Sequence, residues 1–336
     1  MKRPGWLPDN LVLLLIATVV LATLLPVHGR GVAVLDVLTQ AAVALLFFLQ
    51  GSKLSRRAVW EGLLHWRLHA LVFAATFVLF PLLGLALRPW LEPLVGPTLY
   101  LGVLFICALP STVQSSIAFT SLARGNVAAA MCSASTSNIL GMALTPLLMA
   151  ALGHWVGAQA GSGTAQLSWH TFEGIFTTLL LPFVAGQVLQ RWTGPWVAAH
   201  KAWVRVSDQS TILLVVYGAF SAATVQGLYQ HLPPATLGAL LGICALLLAI
   251  VMPLLTWLSR VLGFSREDEI AIVFCGSKKT LASGVPMAQI LFAGQAVGLL
   301  VLPLMIFHQL QLMVCASIAR RYARSGSGWA LERGQA

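Results

Sequence analysis

The chain has 336 residues, of which 58% are hydrophobic and only 9% charged, with a mean hydropathy of +0.85. Water-soluble domains are about 25% charged, so this chain has too little polar surface to cover a core in water, and a lipid bilayer suits it better. The net charge of +10 does not point to nucleic acid, because the Lys and Arg residues sit in short gaps between apolar runs and form no basic stripe interleaved with aromatics.

A helix needs roughly 20 apolar residues to cross a bilayer. On that measure ten spans are expected, near 10–26, 31–51, 66–87, 96–122, 126–150, 171–190, 206–226, 235–259, 268–293 and 295–319. Met1-Lys2-Arg3 ahead of the Leu11 to Leu25 run has the charge order of an export signal, but more spans follow, so the run reads as the first transmembrane helix. Pro81, Pro110, Pro146, Pro182, Pro253, Pro286 and Pro303 fall inside spans, where neighbouring helices of a bundle can satisfy the carbonyls they free.

Ten spans put both termini on one side. Of the 20 Lys and Arg residues, sixteen fall on that side, from Lys2 and Arg3 through Lys53, Arg124, Arg205 and Arg266 to Arg333, and only Arg30 and Arg88 fall on the other. The positive-inside rule then predicts a multi-pass inner-membrane protein with both termini in the cytoplasm. Lys278 and Lys279 belong to neither side, because they lie within the ninth span.

The Gly/Ser/Gln-rich stretch Gly157 to Gln166 divides the spans five and five, giving one integral membrane domain with halves at 8–150 and 167–323 and a flexible cytoplasmic tail at 324–336. An odd number of spans per half makes any repeat an inverted one. Two short echoes support it: Asp36 opens the second span as Asp208 opens the seventh, and Thr145-Pro146-Leu147-Leu148-Met149 resembles Leu302-Pro303-Leu304-Met305. Such a repeat lets a central site face the two sides in turn.

Two segments put polar groups at membrane depth. In the fourth span, Pro110-Ser111-Thr112-Val113-Gln114-Ser115-Ser116 removes a backbone donor and adds five polar side chains. The composition fits a broken helix lining a site, or a kinked helix whose hydroxyls bond back to their own backbone. In the ninth span, Gly276-Ser277-Lys278-Lys279-Thr280-Leu281-Ala282-Ser283-Gly284-Val285-Pro286 holds two lysines that need water, carbonyls, an anion or an acid beside them. Pro110, Gly276, Gly284 and Pro286 are the expected break points. The alternative starts the ninth span near Leu281 and leaves the lysines at a cytoplasmic rim, which strands the apolar Ile270 to Phe274 outside the membrane. Between these segments, Ser133, Ser137 and Asn138 of the fifth span supply small oxygens for close helix contact or for an ion or polar substrate.

The candidate substrate or ion contacts are therefore Ser111, Thr112, Gln114, Ser115, Ser116, Ser133, Ser137, Asn138, Ser277, Lys278, Lys279 and Thr280. Gln187, Asp208, Gln209, Gln289, Gln295 and Gln309 are further polar positions whose spacing assigns no role. No nucleophile has a base and oriented acid nearby, no phosphate loop occurs, and no His/Glu metal spacing is present, so no enzyme activity, metal or cofactor is expected. The five cysteines lie singly in apolar runs and read as packing.

The segments Pro110 to Ser116, Leu122-Ala123-Arg124-Gly125-Asn126 and Lys278 to Pro286 resemble the bile acid:sodium symporter superfamily over roughly residues 8–323. The last segment is similar to its divergent bacterial branch, related to the seventh human solute-carrier member of that family. The resemblance implies ten helices in two inverted five-helix repeats, panel and core domains, broken crossing helices 4 and 9, and substrate held between panel and core. Its sodium-using members carry Ser-Asn where this chain has Ser115-Ser116, and an acid with Gln-Asn where this chain has Gly276-Ser277-Lys278-Lys279-Thr280.

Two lysines in place of a carboxylate repel sodium, while the hydroxyls of Ser115, Ser133 and Ser137 remain oxygen donors, so sodium-coupled, proton-linked and facilitative transport all stay open. A buried lysine can stand in for a bound cation or give up its proton. The expected function is secondary transport of an organic anion, bile-acid-like or another amphipathic acid. The alternative is a membrane regulator of ion homeostasis that acts through partners without transporting. Beyond the lipid bilayer and a small anion, the sequence indicates no partner and leaves the oligomeric state undetermined.

Overall fold

A computed structural model of the chain describes residues 10–53, 65–160, 177, 180–225, 227, 233–293 and 295–333, and every regular element named among them is helical. The Gly161 to Gln166 part of the expected linker and most of the start of the sixth span lie outside the described residues. The helices are α1 Asn10–Leu24, α2 Arg30–Lys53, α3 Trp66–Ala74, α4 Phe80–Ala86, α5 Arg88–Val95, α6 Pro97–Ala108, α7 Val113–Leu122, α8 Val127–Ala160, α9 Leu181–Val188, α10 Gln190–Ala199, α11 Lys201–Val225, α12 Pro234–Val261, α13 Arg266–Gly276, α14 Leu281–Leu291 and α15 Val297–Arg333, with a π-helical turn, Ala75–Leu79, joining α3 to α4.

Five of these stretches are long and apolar enough to cross a membrane, and α6 with α7, bent by 61° at their break, makes a sixth. Their outer faces stay apolar: Val37 is 66% exposed, Leu82 57% and Leu147 56%. Such stripes cost free energy in water and none in hydrocarbon, so the protein is a multi-pass membrane protein. Two boundaries differ from expectation. Backbone helix runs through Gly157–Ala160 at the end of α8, and the 324–333 stretch, expected as a flexible tail, continues α15. Glycine and serine lower helix propensity by at most about 1 kcal/mol each, which a helix already nucleated upstream can absorb.

The chain forms two compact units, and each takes segments from both halves of the sequence. One comprises Met1–Leu54, Leu167–Pro233 and Ala282–Val301; the other comprises Ser55–Gln166, Pro234–Leu281 and Leu302–Ala336.

In the first unit α2 packs on α9 and α11, and α1 packs on α11. The α2/α9 contact is reciprocal. Gly51 lies against the Phe183 carbonyl and Gly186 against the Phe48 carbonyl, so close that a Cβ on either glycine would overlap the opposing backbone. Phe-x-x-Gly on each helix thus brings two backbones together, the use small residues find in membranes. Ser52 donates to the Gly186 carbonyl at 3.4 Å and accepts from Thr193 at 2.9 Å, while Lys53 pairs with Asp208 of α11 at 2.5 Å.

In the second unit α6, α7, α8 and α13 surround two helix interruptions, with α3 and the π turn packed beside them. The turn from α7 to α8 is fastened to the start of α13. Arg124 takes a left-handed φ of 62°, Gly125 sits so near Ile270 that a Cβ would collide, and Asn126 joins three partners. Its side-chain oxygen caps α8 by accepting from Ala129 N–H, its amide donates to Asp268 at 2.8 Å, and its N–H donates to the Glu267 carbonyl. Ser265 caps α13 by accepting from Asp268 N–H at 3.1 Å, with Glu267, Asp268 and Glu269 in the positive first turn.

Candidate functional site

Residues 109–112 separate α6 from α7, and residues 277–280 separate α13 from α14, so each interruption is four residues long. The first follows from Pro110. A residue before proline is pushed out of the helical region, and Leu109 is extended with φ −73° and ψ 151°. The second begins directly after Gly276, at whose position a Cβ would meet Leu255. Gly284 and Pro286, expected as further break points, lie inside α14 instead. Pro286 strands only the carbonyl of Ala282 four residues back, whereas at 277–280 the opposing segment satisfies the freed backbone groups.

The two interruptions are hydrogen-bonded to each other. Thr280 N–H donates to the Pro110 carbonyl at 3.0 Å, and the Thr112 hydroxyl donates to the Lys279 carbonyl at 2.9 Å. Ser111 donates its hydroxyl to the Cys275 carbonyl at 2.6 Å, and Ser116 donates to Phe274 at 3.2 Å. The fifth-span helix α8 completes the first break: Ser137 accepts from Ser111 N–H at 3.1 Å, and Thr145 donates to the Ala108 carbonyl at 2.9 Å. Gln311 of α15 completes the second, accepting from Lys279 N–H at 2.9 Å and donating to the Lys279 carbonyl at 2.8 Å. Unpaired polar groups are expensive in a buried setting, and the hydroxyls at these breaks are spent on preventing that.

Both lysines are 0% exposed, and they are held differently. The Lys279 ammonium donates to three main-chain carbonyls, Thr76 at 2.9 Å, Cys107 at 3.0 Å and Leu109 at 2.8 Å, and lies 4.1 Å from the centre of the Phe80 ring. Among the described residues, Lys278 donates to the Ser115 carbonyl alone, at 2.7 Å, and rests over Phe119 at 4.0 Å and Phe274 at 5.3 Å. Side chains at adjacent positions on a helix point about 100° apart, and the interruption lets these two diverge into separate environments. Among the described residues, neither lysine is paired with a carboxylate.

The carbonyl of Thr76 is open for a covalent reason. In the π turn the Phe80 N–H donates to Ala75, so the next donor in that register is residue 81, a proline without an N–H. The Ser111 N–H that would serve Cys107 in a continuous helix is bound to Ser137, and Leu109 points its carbonyl out of the helix.

Among the remaining candidates, Ser277 donates to the Val273 carbonyl of its own helix at 2.6 Å, Asn138 is half-buried on α8 and Gln114 is exposed. The Ser115 hydroxyl is buried and has no hydrogen-bond partner among the described residues. Ser133 meets His69 Nδ1 at 2.5 Å. Sequence reasoning missed His69, Thr76 and Gln311. A proline five residues after Thr76 was a readable signal only with knowledge of the π register, and a lone Gln in an apolar helix looked like several others. As for a sodium ion, the carbonyls of Thr76, Cys107 and Leu109 are already engaged by Lys279 and, among the described residues, no carboxylate joins them, so these residues do not fit a free cation while the lysine is present.

Residues 9–324 match the SBF-like CPA transporter family. An uncharacterized protein of Pseudomonas aeruginosa is 60% identical, covering 96% of this chain and 96% of its own length. YfeH of Escherichia coli, named as a candidate symporter, is 50% identical over 94% of this chain and 93% of its own. Sodium/bile acid cotransporter 7 of Rattus norvegicus is 29% identical over 81% of this chain and 79% of its own.

Proposed function

Because the chain belongs to the SBF-like CPA transporter family, we propose that it carries a small organic anion across the bacterial inner membrane by alternating access, without sodium coupling. The observation that carries this reading is the pair of ammonium groups buried where two helix breaks face each other, with no carboxylate beside them among the described residues. Protonated lysines in a low-dielectric interior attract an anion and repel a free cation. The rat relative is named for sodium and bile acid; an amphipathic organic acid is the substrate class that this kinship and the lysines together favour for this chain.

Ten spans in two inverted five-helix repeats belong to the same proposal. The breaks have equal length, and their contacts exchange with one spacing: Ser111 donates to the Cys275 carbonyl, four residues before Lys279, and Lys279 donates to the Cys107 carbonyl, four residues before Ser111. The two units, each built from both halves of the chain, fit a panel and a core. The Lys and Arg bias favours cytoplasmic termini. Alternating access would then turn on the core carrying its interlocked breaks as one body, since the hydrogen bonds across them leave little freedom to move separately.

The test is uptake of labelled organic anions into proteoliposomes with and without an inward sodium gradient, at fixed pH and membrane potential. Equal uptake in both conditions supports the reading. Uptake that needs sodium contradicts its coupling claim.

A further inference from the structure

We infer that the carbonyls of Thr76, Cys107 and Leu109 form a monovalent-cation site which the Lys279 ammonium fills as a tethered ion, so that a variant lacking this side chain binds a free small cation there. The inference rests on the sodium-independent reading above and names the structural reason for it. Each N–H of the ammonium has its own carbonyl, at 2.8 to 3.0 Å, and the face of Phe80 closes a further side. Oriented carbonyl dipoles around an apolar wall are the means by which proteins replace the hydration shell of a monovalent cation.

The three oxygens do not depend on the lysine for their positions. Pro81 leaves Thr76 without a donor, Ser137 takes the N–H that would serve Cys107, and Pro110 turns Leu109 outward. Removing the ammonium therefore leaves three preorganised, buried acceptors with a strong demand for positive charge. Lys278 is the internal control, since among the described residues one carbonyl and two aromatic faces surround it, fewer oxygens than an ion needs.

The experiment compares thermal unfolding of the full-length protein and of Lys279→Ala, Lys279→Ser and Lys278→Ala in detergent, in choline, sodium and methylammonium chloride at equal ionic strength. The serine variant adds an oxygen ligand and backs up the alanine variant. Both Lys279 variants are expected to gain roughly 3 °C or more in sodium or methylammonium relative to choline, with no shift for the unsubstituted protein or Lys278→Ala. Recovery of the Lys279 variants in sodium or methylammonium but not in choline supports the inference equally. Identical Tm in all three salts, an equal shift in the unsubstituted protein, or loss of both Lys279 variants in every salt overturns it. Unfolding is read without a transported solute, so a failed search for the anion bears on the transport reading and an absent cation shift bears on this inference.

Discussion

Gln311 holds the backbone of Lys279 from both sides, accepting its N–H at 2.9 Å and donating to its carbonyl at 2.8 Å. One side chain thus does for an interrupted helix what a neighbouring strand does in a sheet. Gln311→Leu removes both bonds, together with the one between the Gln311 amide and His308 Nδ1 at 3.0 Å, and strands the N–H, while the carbonyl keeps Thr112. The expected cost is about 2–4 kcal/mol of stability, from two lost bonds of the amide and one buried unsatisfied donor. Denaturant or thermal unfolding of the purified variant measures it, and a change below about 0.5 kcal/mol would show that the clasp holds nothing.

The two lysines are expected to respond unequally to the same substitution. Lys279→Met deprives three carbonyls of a donor, and about 3–5 kcal/mol is lost. Lys278→Met deprives one carbonyl and keeps an adaptable apolar chain against Phe119 and Phe274, at a cost of about 1–2 kcal/mol. Unfolding measured in parallel in one detergent tests the order; equal losses would contradict the assigned partners.

Pro81 and Lys279 are coupled through the Thr76 carbonyl. Pro81→Ala restores an N–H that can close this carbonyl within the π turn, which matters most when the lysine is absent. The double variant Pro81→Ala/Lys279→Met is therefore expected to be about 1 kcal/mol more stable than the sum of the single changes predicts. A double-mutant cycle on unfolding free energies gives the coupling, and a value of zero would separate the two residues.

Gly51→Ala and Gly186→Ala should each force α2 and α9 apart, because the added methyl overlaps the backbone of the other helix. Each is expected to cost more than about 2 kcal/mol, and the pair less than the sum, since the second change acts on helices already separated. Gly238→Ala and Gly242→Ala, with no heavy atom within 4 Å of the new methyl, should instead be neutral or stabilising by up to about 1 kcal/mol. Tm values of the four variants decide between a packing contact and a general intolerance of change.

The features legible in the sequence were those a side chain announces by type. Pro110 marked the first break, Lys278 and Lys279 marked the second, and the hydroxyls of Ser111, Thr112, Ser116 and Ser137 marked what lies around them. Less legible were the features that live in the backbone. The acceptors of Lys279 are carbonyls, which every residue possesses, and which three are free depends on the π turn and on the Leu109 geometry. Gln311 had nothing to separate it from Gln309, two residues away, until the fold brought it to Lys279. Gly284 and Pro286 misled because composition records where a helix can break, whereas the break falls where an opposing segment can satisfy the exposed groups. Hydropathy alone likewise gave no sign that 324–333 would extend α15.

If the buried lysines serve transport of an organic anion, uptake depends on them. Labelled organic anions are presented to proteoliposomes holding the unsubstituted protein, Lys278→Met or Lys279→Met, at fixed pH and potential and without sodium. Uptake by the unsubstituted protein and at least a roughly tenfold loss in one or both variants are expected, as when about 1.4 kcal/mol or more of anion stabilisation is removed. Unchanged uptake and unchanged pH dependence in both variants would contradict it.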